Sequence, residues 1–302
     1  MHRVIAAWLT ERPWRAAVAS AACGALSPQM MLPFAVLAGA IPGLIALRFD
    51  AKAALGVAAV GAIAAVSVVL SVAEPTGWLF AAIGLLFLSP VLLALLLRNS
   101  GSMNLCFQVA VLGAAAVLIA VHLVLPDPIA VWTQLLHQVL DSMASAGIRL
   151  EGDQDEIVAV WARTMWGALT ALALATVFGG VLLGRWWLSL LQAPGEFGVE
   201  YRDLRLGLTL GVVITVLFVL AMLTESSLMA SLAWVAFTAL AFQGLAAAHR
   251  SKARGRLNRG WLAAIYVLLV VPLSMSVTVF VLAVWGFADN WLRPRAQPGV
   301  SP

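Results

Sequence analysis

Charged residues are scarce in this chain of 302 residues, of which acidic and basic side chains make up 11%. A typical soluble domain carries about a quarter charged residues. The hydrophobic fraction is 63%, and the mean hydropathy is +0.99. A soluble protein could not cover that much apolar surface with polar groups, so lipid must solvate much of the exterior. The composition therefore predicts an integral membrane protein.

The sequence also lacks the common catalytic and metal-binding motifs. The only lysines, Lys52 and Lys252, do not follow a glycine-rich phosphate loop, so the sequence has no ATPase motif. The four histidines form no His-Glu-x-x-His pattern, and His137 with Asp141 offers too few ligands for a metal ion. The nearest Gly-x-Ser sequence lies in the tail, at residues 299–301. We therefore expect no enzyme activity, no catalytic residues, no metal site and no cofactor.

The two cysteines and the net charge exclude two further classes. Cys23 and Cys106 both lie in apolar segments, where a thiol behaves as a small hydrophobic group, and they predict no disulfide framework. The net charge of +4 does not predict nucleic-acid binding, because the basic residues lie in short loops between apolar runs. Membrane topology explains these loops, and the lipid bilayer is the expected partner.

Nine apolar segments are candidates for membrane spans, since crossing about 30 Å of hydrocarbon takes about 20 helical residues. The final segment has Pro272 at its centre, so it is either kinked or folded back as a re-entrant pair. We predict an all-α transmembrane bundle of about eight or nine spanning helices, forming a single integral membrane domain over residues 1–302. The candidate segments are 16–28, 30–47, 53–72, 77–97, 105–125, 157–183, 206–223, 226–247 and 259–287.

The distribution of basic residues predicts the orientation. Alternating the loops puts 14 of the 18 basic residues on one side and only Arg149 on the other. The positive-inside rule then predicts a multi-pass protein of the bacterial inner membrane with a cytoplasmic N-terminus and cytoplasmic loops at 185–205 and 249–260. Nine spans would put Arg293 and Arg295 of the tail, residues 288–302, outside, whereas eight or ten would put them inside.

The longest external connection, residues 126–156, contains an amphipathic segment at 128–146. Its apolar residues recur at spacings of three and four, which predicts a helix with one apolar face. This helix either covers the outer end of the bundle or forms a mobile lid over an external pocket. The apolar positions are Ile129, Trp132, Leu136, Val139, Leu140 and Met143, and the solvated acidic run that follows is Glu151, Asp153, Asp155 and Glu156.

The cytoplasmic loop at 185–205 carries a recognisable pattern. Its residues read Arg185-Trp186-Trp187, Leu190, Pro194-Gly195, Phe197, Glu200-Tyr201 and Leu204-Arg205-Leu206. This pattern resembles a signature of the YybS-like integral membrane proteins of bacteria, a family of unknown function. The resemblance extends to residues 286–291. In the family an acidic residue and an arginine cluster usually follow this motif, and Leu292-Arg293-Pro294-Arg295 departs from that pattern. It implies a fold similar to the substrate-binding membrane subunits of energy-coupling-factor vitamin transporters, and it implies no site residues.

Polar side chains within the spans are candidate ligand-binding residues, because a charge at the membrane centre costs roughly 2.5–3.5 kcal/mol on insertion scales. Arg163 could pair with Glu156 or reach outward, or it could face a cavity and bind an anionic ligand. His122 could pack at the interface or bind a proton or ligand. Gln108 could hydrogen-bond to another helix or contribute to the same kind of site.

Glycines spaced by four residues predict close helix packing, at Gly39 and Gly43, Gly180 and Gly184, and Gly207 and Gly211. Prolines inside the spans predict either simple kinks or helix breaks beside a cavity. These are Pro33, Pro42 and Pro272.

Two functions are compatible with these features. The first is a small-molecule-binding or transport-type membrane subunit that lacks its own ATPase and is served by an energising partner at the cytoplasmic face. The alternative is an envelope assembly or scaffold protein that acts through its cytoplasmic loops, where basic residues could equally meet anionic lipid headgroups. The residues expected to carry loop interactions are Arg185, Trp186, Trp187, Glu200 and Arg205.

Overall fold

The computed structural model describes residues 1–72, 77–148 and 152–292, and within these ranges all regular structure is helical. Arg149, Glu151, Arg293 and Arg295 lie outside the described residues. The helices are α1 (His2–Glu11), α2 (Pro13–Arg48), α3 (Ala51–Val72), α4 (Gly77–Ser100), α5 (Met103–Val124), α6 (Pro128–Ser145), α7 (Gln154–Gln192), α8 (Glu196–Arg202), α9 (Leu208–Leu223), α10 (Ser227–Ala253), α11 (Arg259–Val270) and α12 (Pro272–Leu292).

Six of these helices are long and apolar enough to cross a membrane, namely α3, α4, α5, α7, α10 and α12. Shorter apolar helical stretches are α9, α11 and residues 33–48 of α2. The length and composition of the helices thus agree with a helical multi-pass membrane protein. The predicted division into nine separate segments differs in two places, because the first two segments lie within α2 and the ninth is divided between α11 and α12.

The chain forms two compact units, which divide α5 and α7 between them. Unit 1 comprises Met1–Ala114 and Ala171–Tyr201, and unit 2 comprises Ala115–Thr170 and Arg202–Pro302.

In unit 1, α2 folds back on itself. A straight helix of its 36 residues would be about 54 Å long. However, the guanidinium of Arg48, the last residue of α2, donates to the hydroxyl oxygen of Thr10, just before the first residue, over 2.7 Å. The prolines inside α2, Pro28, Pro33 and Pro42, interrupt the ladder of helical hydrogen bonds and allow such bending. The two apolar segments predicted here are therefore two arms of one helix, and both ends of α2 lie together.

Small residues bring the helices of unit 1 into close contact. A methyl group at Gly180 would lie 3.1 Å from the backbone nitrogen of Ala40, and one at Gly184 would lie 3.0 Å from the Ala40 carbonyl oxygen. One at Gly39 would lie 3.0 Å from the ring of Pro90. The predicted close packing is thus confirmed at Gly39, Gly180 and Gly184, whereas a methyl group at Gly43 would make only ordinary contact, 3.9 Å from the Pro90 carbonyl oxygen. A third crossing, of Gly24 over Gly61, joins α2 to α3.

In unit 2, α11 and α12 form a fold-back pair. Val271, with extended backbone angles of φ −79° and ψ 117°, separates the two helices. The pair begins shortly after α10 ends, and near its other end Asp289 forms an ion pair with Arg250 of α10. Both ends of the pair therefore lie at the same end of α10. Of the two forms that the sequence allowed for this segment, the folded-back one is observed, and α11, about 18 Å long, is too short to cross a membrane alone.

The amphipathic segment of unit 2 forms α6, as predicted. Asp127 caps its first turn by accepting hydrogen bonds from the backbone nitrogens of Ile129 and Ala130. The indole of Trp166 donates to the Pro128 carbonyl oxygen over 2.9 Å and fixes the start of α6 against α7. The apolar face then packs on α7, which is what a covering helix requires. The residues of this contact are Ile129, Trp132, Leu136 and Leu140 of α6, with Val158, Ala162 and Met165 of α7.

Helices α10 and α12 cross so closely that only glycine fits at the contact. A methyl group at Gly286 would lie 2.0 Å from the carbonyl oxygen of Leu240, and one at Gly244 would lie 1.8 Å from that of Leu282. Gly286→Ala should therefore destabilise the protein by on the order of 1–3 kcal/mol, because the helix backbones must move apart. Thermal unfolding of the detergent-purified protein measures this effect.

The matched control is Gly84→Ala on α4, where nothing lies within 4 Å of the added methyl group. This variant should be neutral or slightly stabilised, because alanine favours a helix over glycine. Equal melting temperatures for the two variants would contradict the close crossing.

Candidate functional site

A buried ion pair joins α10 and α12 in unit 2. The side chains of Arg250 and Asp289 are 11% and 13% exposed, and their charged groups are in direct contact. Arg250 also donates to the carbonyl oxygen of Arg202 over 2.7 Å, at the end of α8. A buried charge is costly unless it is paired and hydrogen-bonded, and here both conditions are met. The pair thereby links α10, α12 and Arg202 within unit 2.

Gln243, which has no exposed surface, extends this ion pair into a network. It precedes Arg250 by seven residues, or two helical turns, so both lie on the same face of α10. Its side-chain oxygen accepts from the backbone nitrogen of Leu206 over 2.9 Å. Its nitrogen donates to Asp289 Oδ2 over 3.4 Å and to Asn290 Oδ1 over 3.3 Å. The amide thus satisfies backbone and side-chain groups together.

The network lies beside a break in the helical chain. Residues 203–207, between α8 and α9, are not helical, and Gly207 has a φ of +86°, which side-chain-bearing residues rarely adopt. The Asn290 amide donates to the Gly207 carbonyl oxygen over 3.1 Å. Non-helical backbone in an apolar environment must find hydrogen-bond partners, and Gln243 and Asn290 supply them.

A cavity of about 60 Å³ opens between these elements. It is large enough for a few water molecules or one small polar group, but not for a whole vitamin-sized molecule, which occupies several hundred Å³. The first turn of α9 faces the cavity, and the free backbone N–H groups of a helix start carry partial positive charge. The residues that line the cavity are Arg205, Gly207, Leu208, Gln243, Asp289, Asn290 and Trp291.

Of the candidate ligand residues, two lie in unit 2 but outside this network. Arg163 donates to the carbonyl oxygen of Glu225 over 2.7 Å and lies 3.3 Å from its carboxylate, so its partner is Glu225 rather than Glu156. His122 Nδ1 lies 3.0 Å from the Leu118 carbonyl oxygen, and its Nε2 lies 3.5 Å from the Ser227 hydroxyl. Both residues are near the turn between α9 and α10, at the opposite end of α9 from Arg205.

Gln108 lies half-buried on α5 in unit 1, together with most of the predicted loop residues. Arg185 donates to Glu196 over 2.8 Å and to Glu200 over 2.5 Å, which joins α8 to α7. Trp187 is buried, whereas the ring of Trp186 lies 5.0 Å from that of His2. Among the predicted residues, only Arg205 lines the cavity of unit 2.

The residues that sequence reasoning missed are Gln243, Arg250, Asp289 and Asn290. Gln243 was detectable in principle, because it is a strongly polar amide inside the apolar run 226–247. Asp289 and Asn290 appear in the C-terminal pattern, but nothing in their spacing predicts contact with α10. Within the described residues, no group of three or more His, Cys, Asp or Glu side chains could hold a metal ion.

These features define the class of the chain as a helical membrane protein with a buried polar network in its second unit. A scan against protein-family models, a search of curated proteins and a search of solved structures each found no match to this chain.

Replacing Asp289 by leucine should destabilise the protein by about 3–5 kcal/mol, because Arg250 is left buried without its counter-charge. The double variant Arg250→Met/Asp289→Leu should recover a large part of this loss, since both charges are then gone. Chemical unfolding of the purified protein measures both effects.

Glu225→Gln provides the comparison at an ion pair in which the acid is 95% exposed. Exposed pairs contribute about 0–1 kcal/mol, so this variant should unfold nearly as the wild type does. A similar loss for Asp289→Leu and Glu225→Gln would mean that the Arg250–Asp289 pair is not buried.

Proposed function

We propose that this chain is a small-molecule-binding or transport-type membrane subunit without its own ATPase. The observation that carries the proposal is the polar cavity beside the unwound residues 203–207, within an otherwise apolar set of helices. Transporters commonly bind polar substrates beside interrupted helices, where a helix start and freed backbone groups meet the ligand. Ionisable residues buried in such helices are expected to serve function, because their burial is costly.

The cavity sets the chemistry of the ligand. The guanidinium of Arg205 and the start of α9 both favour negative charge, and Arg250 neutralises the Asp289 carboxylate in the lining. The amide of Asn290 keeps one N–H beyond its bond to Gly207 for a ligand. The volume of about 60 Å³ admits one small polar or anionic group. The bound species is therefore a small anion, or a larger molecule that inserts its anionic group and leaves the remainder outside the cavity.

Of the eight or nine spans that the sequence predicts, we propose eight, in the bacterial inner membrane. These are α3, α4, α5, α7, α9, α10 and the two arms of α2, and the fold-back pair of α11 and α12 returns to the side on which it begins. The contact between Thr10 and Arg48 supports a common side for the N-terminus and the loop after α2. The fold-back of α11 and α12 supports a common side for the tail and the loop at 249–260. The positive-inside rule makes both of these sides cytoplasmic.

We also propose that the chain is a member of the YybS-like family and that an energising partner binds at its cytoplasmic face. They are supported by the loop sequence from Arg185 to Leu206 and by the absence of a phosphate-loop motif from the sequence.

Thermal unfolding against a panel of small carboxylates, phosphates, nucleotides and vitamins tests the binding proposal. Ligand binding to the folded state raises the apparent stability by mass action, by about 2.7 kcal/mol at a concentration 100 times the Kd. We expect a dose-dependent rise in melting temperature with one anionic class. Arg205→Gln should abolish this rise, because the cavity loses its cation.

The matched control is Arg202→Gln, three residues earlier. Arg202 serves the network through its backbone carbonyl, so this variant should keep the ligand response. A flat panel with a well-folded protein, or equal loss of response in the two variants, would contradict binding at this cavity.

A scaffold function is the second candidate, and one observation in unit 1 favours it. Arg185 holds α8 to the end of α7 through Glu196 and Glu200, while Val199 of the same short helix is 55% exposed. A fixed helix with an exposed apolar side chain outside the spans is suited to bind a partner protein.

Photo-crosslinking in intact cells tests the scaffold function. A photoreactive amino acid at position 199 should give one discrete protein adduct, whereas the same probe at Asn99, an exposed position at the end of α4 in unit 1, should not. Absence of an adduct at 199, or the same adducts at both positions, would count against a partner on α8.

A further inference from the structure

The turn between α10 and α11 in unit 2 carries an uncompensated positive charge. Arg254, Arg256 and Arg259 are exposed, and none of them forms an ion pair with any residue that the structure describes. The sequence contains no aspartate or glutamate between Glu225 and Asp289, and Asp289 is already paired with Arg250. Since no acid of the described residues is paired with these arginines, their guanidinium groups are available to an external anion.

The backbone of this turn is held in one conformation. Gly255, with φ +72°, ends α10 in a Schellman motif, in which its N–H donates to the Lys252 carbonyl oxygen over 3.1 Å. In the same motif the N–H of Arg256 donates to the Ser251 carbonyl oxygen over 3.0 Å. Asn258 then caps α11 by accepting from the Trp261 backbone nitrogen over 2.9 Å. The arginines thus project from an ordered turn rather than a flexible loop.

The surface next to the turn is apolar and open. Trp261, in the first turn of α11, is 64% exposed, and α11 has no buried residue at all. A shallow cleft of about 210 Å³ lies beside it, lined by Asn258, Gly260, Trp261 and Ala264. A change from basic residues to tryptophan to apolar residues within one turn is typical of a helix that enters a membrane through the headgroup layer.

We propose that the turn at residues 252–261 is a binding site for the phosphate group of anionic lipids, with Trp261 and the cleft in contact with the glycerol and upper acyl region. Arginine guanidinium groups match phosphate geometry, and basic residues beside a membrane span attract anionic headgroups. An acidic protein could match the charge, but it would not cover the apolar surface of α11, which continues directly from the turn. A lipid satisfies both parts of this surface, and the proposal is independent of any ligand in the polar cavity.

Native mass spectrometry of the full chain, released from nanodiscs with equal amounts of phosphatidylglycerol and phosphatidylcholine, tests the site. The wild type should retain phosphatidylglycerol preferentially. Arg254→Gln/Arg256→Gln should reduce this preference on the order of 10-fold or more, because each basic residue near the surface contributes about 5-fold in affinity. Arg254→Lys/Arg256→Lys keeps the charge and should retain most of the preference.

The control variant is Arg3→Gln/Arg12→Gln, which removes two other exposed arginines. It should leave the retained phosphatidylglycerol unchanged, and all variants should melt as the wild type does. Equal loss in the control, or no preference in the wild type, would overturn the site. Retention of added inorganic phosphate by a wild type that shows no preference for phosphatidylglycerol would overturn the lipid as the occupant and identify free phosphate instead.

Discussion

The unwound backbone at residues 203–207 is the constraint on which the rest of unit 2 depends. In an apolar protein these peptide groups need internal partners, and α10 and α12 supply them through Gln243 and Asn290. Both side chains must then reach the same segment, which requires α10 and α12 to lie very close together. Glycines at their crossing make that approach sterically feasible. The ion pair of Arg250 and Asp289 also joins α10 to α12, and a small polar cavity lies beside it.

Fold-back helices recur in both units and give each one a polar end. In unit 1 the bend of α2 brings Arg48 back to Thr10. In unit 2 the break at Val271 brings Asp289 back to Arg250. In each case proline lies within or beside the helix break. An arginine near the end of a helix then forms the contact that holds the two ends of the folded segment together. Charged groups thereby gather at helix ends while the long apolar surfaces face outward, which is the distribution that lipid requires.

The class of the fold followed from the sequence because membrane solvation affects composition and periodicity along every segment. The spacing of Ile129, Trp132 and Leu136 was sufficient to predict α6 and the face it buries. The bend of α2 and the fold-back of α11 and α12 were only partly predictable. Proline marks where a helix can be interrupted, but contacts such as Arg48 with Thr10 decide the direction in which the chain continues. The polar network was missed for the same reason, since Gln243 and Asp289 are 46 residues apart and meet only through tertiary packing.

In the proposed function, the cavity of unit 2 contacts water while the surrounding helix surface contacts lipid. Single cysteines at Leu208, which lines the cavity, and at Val213, which is 55% exposed farther along α9, distinguish the two environments. In proteoliposomes of a variant without Cys23 and Cys106, the reaction of each cysteine with a charged thiol reagent would be measured. We expect rapid labelling at position 208 and little at position 213. Equal labelling at both positions, or labelling at 213 alone, would contradict it.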